Sequence, residues 1–555
     1  MNENRMYVDG MPVAIEGEKN LLELIRKAGV DLPTFCYHSE LSVYGACRMC
    51  MVEDARGGLS AACSTPPKGG MEVFTSTPRL RKYRKTILEL LLSSHCRDCT
   101  TCPKNGLCKL QELAARFGVR SVRFENIKTA PGSDRSSDSI VIDRNKCILC
   151  GDCVRMCNEV QHVGAIDFAH RGAQMTISTA FGQPIATSGC VSCGQCAAIC
   201  PTGAILIKSD KAPVWAALSD KDAKVVAQVA PAVRVAVARA FGLPEGENSM
   251  GRIVAALRRL GFDEVYDTAT GADLTVVEES YELAERLEKG EGPLFTSCCP
   301  AWVEYARTRH PELSGCLSTC KSPMGMLSAV IKAHGAASGR RIVSVAVMPC
   351  TAKKHEAALG DDTDYVITTL ELVAMIRESG LIFEALEPEA IDSAFSTCTG
   401  AGVLFGASGG VTEAVLRRLA SDKSARALSG LSMAGVRSGE GIRELTIEAL
   451  GREVRIAIVS GLANAEKLIG RVRGGERFDF VEVMACPGGC VGGAGQPLGG
   501  RREKARRAEG LYAADRLSSV KRSEENPLIL SLYSGVVRGR AHELLHVKRG
   551  GAASG

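Results

Sequence analysis

The stretch VEVMACPGGC (481–490) runs a β-favouring apolar segment straight into two cysteines four residues apart. PLFTSCCP (293–300) and SVAVMPC (344–350) repeat the unit: a strand-length apolar run that ends in cysteine beside proline. In open α/β sheets, ligands bind beyond the carboxyl ends of strands, so three segments far apart in the chain are expected to meet at one site. VVAQVA (225–230) and FDFVEVM (478–484) read as further strands, and MGRIVAALRRLG (250–261) has the period of an amphipathic helix. This alternation predicts an α/β back half. In TSCCPAW (296–302) two cysteines are adjacent. Neighbouring side chains diverge on a helix and on a strand alike, so Cys298 and Cys299 are expected to do different jobs.

Of the 555 residues, 24 are cysteine, and sixteen of those lie between Cys36 and Cys200. A chain this long predicts several domains. A net charge of +5 from 68 basic and 63 acidic residues implies no general attraction to nucleic acid. No run approaches the roughly 18 apolar residues of a membrane span, and the first thirty residues lack a signal pattern. The expectation is a cytoplasmic protein whose cysteines serve metal or redox chemistry, since disulfide frameworks belong to small secreted chains.

Spacing supports metal. Cys147, Cys150, Cys153 and Cys157 form C-x2-C-x2-C-x3-C, and Cys190, Cys193, Cys196 and Cys200 repeat it before Pro201. In this two-cluster bacterial ferredoxin pattern the fourth cysteine of each run ligates the other cluster. Cys147, Cys150, Cys153 and Cys200 are therefore assigned to one [4Fe-4S] cluster, and Cys157, Cys190, Cys193 and Cys196 to a second. Structural zinc sites more often show two separated C-x2-C pairs. Upstream, His95, Cys99, Cys102 and Cys108 form H-x3-C-x2-C-x5-C, for which spacing alone leaves a zinc site as the rival of a third [4Fe-4S] cluster; Cys96 is read as a non-ligand. Cys36, Cys47, Cys50 and Cys63 suit a [2Fe-2S] cluster, although not in the plant-type spacing.

Residues 1 to about 208 resemble the electron-input region shared by cluster-rich iron-iron hydrogenases and, in the first two modules, the large iron-sulfur subunit of respiratory complex I. TSCCPAW, MPCTAKK (348–354) and EVMACPGGCVGGAGQP (482–497) resemble the three signature segments of the iron-iron hydrogenase catalytic domain. Similarity continues through GADLTVVEESYE (271–282), STCKSP (318–323), TGAGVLFGASGGV (399–411) and ENPLILSLY (525–533). The resemblance implies α+β iron-sulfur modules followed by an α/β catalytic domain. Those modules are a β-grasp [2Fe-2S] ferredoxin (1–78), a small helical module with one histidine and three cysteine ligands (79–128) and a two-cluster bacterial ferredoxin (139–208). A two-lobed hydrogenase domain (213–515) and a small-subunit-like tail (516–555) complete the chain.

By the same resemblance Cys299, Cys350, Cys486 and Cys490 hold a cubane. Cys490 also bridges to a diiron subcluster with carbonyl, cyanide and dithiolate ligands, the whole being the H-cluster. Cys298 passes protons to it, behind a relay of Glu279, Ser318 and Glu282 toward Arg286 at the surface. On spacing alone, Glu279, Glu282 and Arg286 read as an exposed helix face. Lys353 donates to cyanide, Met484 packs against the diiron bridge, and Ala230 with Pro231 lines the far side. Lys354 is assigned to the surface, and Cys316, Cys320 and Cys398 to ordinary packing. RREKARR (501–507) reads as a solvated helix with acidic-partner docking as its alternative. Met324, Ala232 and Ala494 depart from the commonest family pattern.

The expected activity is reversible oxidation of dihydrogen and reduction of protons. A low-turnover hydrogen sensor and a non-catalytic complex I-type subunit are the rivals. With no G-x-G-x-x-G on the chain, electrons are expected from ferredoxin or from partner subunits that bind flavin and NAD(P).

Overall fold

The computed structural model describes residues 4–128, 132–336, 339–420 and 441–547, and between the last two 422–424, 426, 430, 435–437 and 439. Residues 129–131 and the tail from 548 onward lie outside the described residues.

Two four-stranded sheets build the back half. In the first, Ala223–Val229 runs parallel to Glu264–Asp267 on one side and to Arg341–Met348 on the other, which pairs in parallel with Tyr365–Thr368. Strands covered on both faces lose the polar alternation of half-exposed ones, and Val225, Val226, Ala227 and Val229 are all buried. In the second sheet Leu294–Phe295, Phe480–Met484 and Arg452–Ser460 are parallel, with Gly441–Ala449 antiparallel at the edge. That edge strand alternates between sheltered and exposed residues, as a strand with one wet face should.

The helix Ala269–Lys289 packs against Pro323–Gly335, Gly400–Leu404 and Gly410–Leu419, so even its acidic residues Asp273, Glu278 and Glu279 are buried. The tail helices Pro527–Ser534 and Ala541–Leu545 pack on it from outside.

In front stands a five-stranded sheet in the order Met11–Ala14, Arg5–Val8, Glu72–Phe74, Met51–Asp54, Leu59–Ala61. Its central strand Glu72–Phe74 is parallel to Arg5–Val8 and antiparallel to Met51–Asp54, and helix Leu21–Lys27 shares its core through Leu21, Leu22, Leu24 and Ile25, as in a β-grasp. Helix Pro78–Ser93 is tied to it by buried Arg84, whose guanidinium donates to the carbonyls of Met49 (3.0 Å), Thr75 (2.7 Å) and Met51 (2.6 Å). Next, a three-stranded sheet, Ile205–Ile207, Ile140–Asp143 and Ser133–Asp134, carries the short helices Asp152–Arg155 and Gln195–Ile199.

The two-cluster module touches each of the other modules. Arg155 Nη2 donates to Cys36 O at 2.9 Å, Lys109 N to Pro201 O at 3.0 Å, and Thr351 Oγ1 to Ser192 O at 2.8 Å. Among the described residues no helix is long and apolar enough to cross a membrane.

Candidate metal centres and catalytic cavity

The two ladders fold crosswise. Cys147, Cys150, Cys153 and Cys200 line one cavity of about 20 Å³, and Cys157, Cys190, Cys193 and Cys196 line another of about 20 Å³. Each C-x2-C turn bends back through a left-handed residue, Leu149 (φ 55°) in one ladder and Ser192 (φ 57°) in the other. Such conformations are rare outside glycine, and here they turn the backbone around the sulfurs: Leu149 N–H points to Cys147 Sγ at 3.4 Å. His95, Cys99, Cys102 and Cys108 line a third cavity of about 10 Å³. There the buried His95 Nε2 has no hydrogen-bond partner, a costly state for an imidazole nitrogen unless it ligates metal. In the β-grasp module Cys36 lies against Cys47 and Cys50 against Cys63. Cys47 N donates to Cys36 Sγ at 3.3 Å and Phe35 N to Cys47 Sγ at 3.4 Å.

The three remote segments meet where the two back sheets face each other. Cys299 caps the helix Pro300–Arg309 after its strand, Cys350 follows Arg341–Met348, and Cys486 and Cys490 follow Phe480–Met484. These four, with Cys298 and Lys353, line a cavity of about 80 Å³. Ala230, Pro231, Met324 and Met484 form the rest of a mostly apolar wall. Burial pushes the thiols up, Cys350 to about 11, and crowding by the other cysteines adds to this. A set that resists ionisation on its own fits a site where bound cationic iron offsets the cost of the thiolates. The cavity is several times the volume of either ladder cavity. Close backbone approach is built in at Gly489, at φ +88°, where an added Cβ would fall 2.5 Å from Ser408 N.

Lys353 is buried, its Nζ 2.6 Å from Glu356 Oε2 and 3.3 Å from Cys298 O. Burial works to lower its pKa, but the Glu356 carboxylate outweighs that and holds it above the ordinary value, so a cation faces the cavity. Lys354 is not at the surface. Its Nζ is buried between Asp210 (2.8 Å) and Glu371 (3.2 Å), because helix Ala352–Leu359 turns that face into the first sheet rather than to solvent.

Behind Cys298, Glu279 is fully buried; it accepts from Ser297 N at 3.3 Å and leaves Oε2 without a partner. Burial, then the neighbouring Glu282 carboxylate, raise it to about 8, against the Ser297 amide and the Ser318 hydroxyl, which lower it. Cys298 is raised well above its ordinary value by burial and by Glu279. Cys298, Glu279 and Ser318 thus stand together. Glu282 is half-buried and held by Thr319, whose N–H lies 3.0 Å from Oε1 and whose hydroxyl also donates to it. Arg286 turns to the Gly315 carbonyl and sits 3.8 Å from Glu291. An exposed helix face, the reading from spacing alone, is excluded by the tail and by Pro323–Gly335.

Residues 223–494 match the iron-only hydrogenase large subunit, C-terminal domain, and 501–548 the iron hydrogenase small subunit. Residues 3–78 match a 2Fe-2S iron-sulfur cluster binding domain, 84–123 the NADH-ubiquinone oxidoreductase-G iron-sulfur binding region and 146–204 a 4Fe-4S dicluster domain. The chain is 38% identical to the NADP-reducing hydrogenase subunit HndD of Solidesulfovibrio fructosivorans, over 97% of each chain. The chain belongs to the iron-only hydrogenase family. Iron hydrogenase 1 of Clostridium pasteurianum is 33% identical over 98% of this chain and 99% of that one. A solved structure of the [FeFe]-hydrogenase HydA1 of Chlamydomonas reinhardtii is 37% identical, with a TM-score of 0.54, covering 61% of this chain and 98% of its own.

In this hydrogenase several site residues escaped the sequence reading. Gln195 Nε2, from between Cys193 and Cys196, donates to Cys486 Sγ at 3.1 Å and to Gly492 O at 3.0 Å, joining the dicluster module to the segment of Cys486 and Cys490. No periodic signal marks it. Neighbouring Gly194 is equally tight: an added Cβ would meet Thr351 Oγ1 at 2.2 Å. Glu356 stands three residues after Lys353 on one helix, a spacing that offered the pair. RREKARR is not simply solvated: Arg507 is buried and donates to Val491 O (3.1 Å) and Pro497 O (2.8 Å), and Lys504 reaches Glu40 at 2.8 Å. Helix Arg501–Leu517 sends these two side chains under the catalytic loop and toward the β-grasp module.

Proposed function

We propose that the chain interconverts dihydrogen with protons and electrons at an H-cluster held by Cys299, Cys350, Cys486 and Cys490. One [2Fe-2S] and three accessory [4Fe-4S] clusters would feed it through the modules 1–78, 79–128 and 139–208. Hydrogen chemistry and iron-sulfur cofactors including the H-cluster follow from the family; the ligand assignments and cluster count are our reading. The observation that carries it is the convergence of those four cysteines with Cys298 and Lys353 on one cavity.

When bound, the diiron unit supplies the redox step that joins or splits dihydrogen. The chain's own residues do the rest. Lys353 presents a fixed cation toward an anionic ligand, held in place by Glu356. The apolar wall of Ala230, Pro231, Met324 and Met484 keeps water from the reacting centre. Cys298 holds a proton at Sγ, since burial disfavours its thiolate, and Glu279 holds one at neutral pH for the same reason. A buried pair that is neutral at rest carries no standing charge in the dry wall; when Cys298 gives up its proton, the thiolate it leaves would be reprotonated by Glu279, whose carboxylate is in turn reprotonated from the solvent side. Ser318 and Glu282 would extend it outward, and Arg286 would close it near solvent.

Electrons would come from partners. Identity to a subunit named for NADP reduction supports companion subunits with flavin and NAD(P) sites over free ferredoxin. To test the reading, the full chain is matured anaerobically, infrared spectra are recorded for bound carbonyl and cyanide, and hydrogen evolution is assayed with each class of donor. Bands with turnover are expected. Competently matured protein without bands would refute the H-cluster, and turnover driven only by ferredoxin would refute the partner assignment.

A further inference from the structure

Among the described residues, one further group of metal-ligating side chains, two of them buried and one half-buried, lies outside the cysteine-lined cavities described above. Glu282 on Ala269–Lys289, Cys320 just before Pro323–Gly335, and His546 in the tail place one oxygen, one sulfur and one nitrogen within 4.8 Å of one another. Cys320 and His546 are buried. The backbone fixes the arrangement: Cys320 and His546 face each other across an antiparallel bridge, secured by Lys321 N to Leu545 O at 2.7 Å and Val547 N to Thr319 O at 2.9 Å. The imidazole is oriented too. His546 Nε2 lies 3.0 Å from Glu278 Oε2, and the Tyr533 hydroxyl donates to the other oxygen of Glu278. A carboxylate on the far ring nitrogen is how metal-binding histidines are commonly set, and it turns Nδ1 toward Glu282 Oε1, 3.7 Å away.

We propose that Glu282, Cys320 and His546 bind one divalent cation of the zinc class, with water in the fourth position. Thiolate, imidazole and carboxylate together are a borderline-soft set suited to tetrahedral zinc, and a single carboxylate is too little oxygen for magnesium or calcium. Ligand atoms around zinc bonded at about 2.0–2.3 Å stand roughly 3.3–3.8 Å apart, so side-chain rotations of about 1 Å close the site. Thr319 Oγ1, now 2.8 Å from His546 Nδ1, would give up that contact. A consequence for turnover rests on the relay proposed above: a cation on Glu282 occupies the lone pairs that would carry protons, and slows their passage.

The test uses the full-chain holoenzyme, clusters loaded, washed with chelator and titrated anaerobically with zinc chloride. Zinc X-ray absorption is expected to show one bound ion with one sulfur among nitrogen and oxygen neighbours. Cys320→Ala should lose that sulfur, and both Cys320→Ala and His546→Gln should weaken binding about tenfold or more, with carbonyl and cyanide infrared bands retained as proof of fold. A shell without sulfur, or equal zinc affinity in wild type and both variants, would overturn the site. Sulfur-bound zinc that leaves hydrogen evolution unchanged would uphold the cation site and refute Glu282 as a relay member.

Discussion

The ladder cavities and the catalytic cavity are lined by the same group, cysteine sulfur, and gather it in opposite ways. In the dicluster module every cysteine that lines a cavity comes from two short runs, and the chain wraps tightly round cavities of about 20 Å³. In the catalytic domain the four sulfurs come from strands of two separate sheets, and the cavity of about 80 Å³ has an apolar far wall and a buried cation. Local ligation leaves room for a cluster and little else, which suits a relay of electrons. Remote ligation leaves an interface between two sheets, and that interface can be furnished with a proton donor, an ammonium group and a dry surface.

The sharpest way to break this contrast is Cys298→Ser, which removes a group peculiar to the catalytic cavity and no cluster ligand. Turnover is expected to fall by about 10²–10⁴-fold in hydrogen-evolution assays, with infrared bands and accessory clusters retained; full activity would make the cavity's adjacent cysteine ornamental. Next, Glu279→Gln keeps the shape and removes the titration. Wild-type proton reduction is expected to decline as pH rises through about 8, where Glu279 loses its proton, and the Glu279→Gln variant should be slow at every pH with that step absent. The sign for stability follows the same group. Its folded pKa is raised, so between the ordinary 4.5 and about 8 the folded state holds the extra proton and stability falls as pH rises. Chemical denaturation of the same variant should show a flatter slope there.

A smaller effect probes the seam between the two regions. Gln195→Leu removes the donor to Cys486 Sγ; because hydrogen bonds to sulfur favour the reduced, more negative cluster, the cubane potential is expected to drop in a redox titration followed by electron paramagnetic resonance, with turnover reduced a few-fold at most. Least of all, Arg116→Ala breaks an exposed pair with Asp31 and should change stability by about 1 kcal/mol or less, measured by denaturation of the holoprotein.

The same contrast explains what could be read in advance. The ladders are sequence-local, so spacing alone suggested placing Cys200 with Cys147, and Cys200 lines the same cavity as Cys147, Cys150 and Cys153. Strand-then-cysteine units pointed to convergence because strand ends gather at one edge of a sheet. Gln195 and Lys504 carried no such mark, since what they do depends on how one module sits on the next. Lys354 misled because a lysine beside a functional lysine reads as solvated, whereas Asp210 and Glu371 compensate it in the interior. Glu279 misled on spacing for the reverse reason: its helix is covered on sides that periodicity cannot reveal.

On the proposed reading, sulfurs 299, 350, 486 and 490 would hold one cubane to which the diiron unit is attached. Matured Cys350→Ala, studied by ⁵⁷Fe Mössbauer and infrared spectroscopy together, tests it most directly. Loss of one cubane along with the carbonyl and cyanide bands is expected, with the accessory clusters intact; bands that persist, or loss of an accessory cluster in place of the cubane, would contradict it.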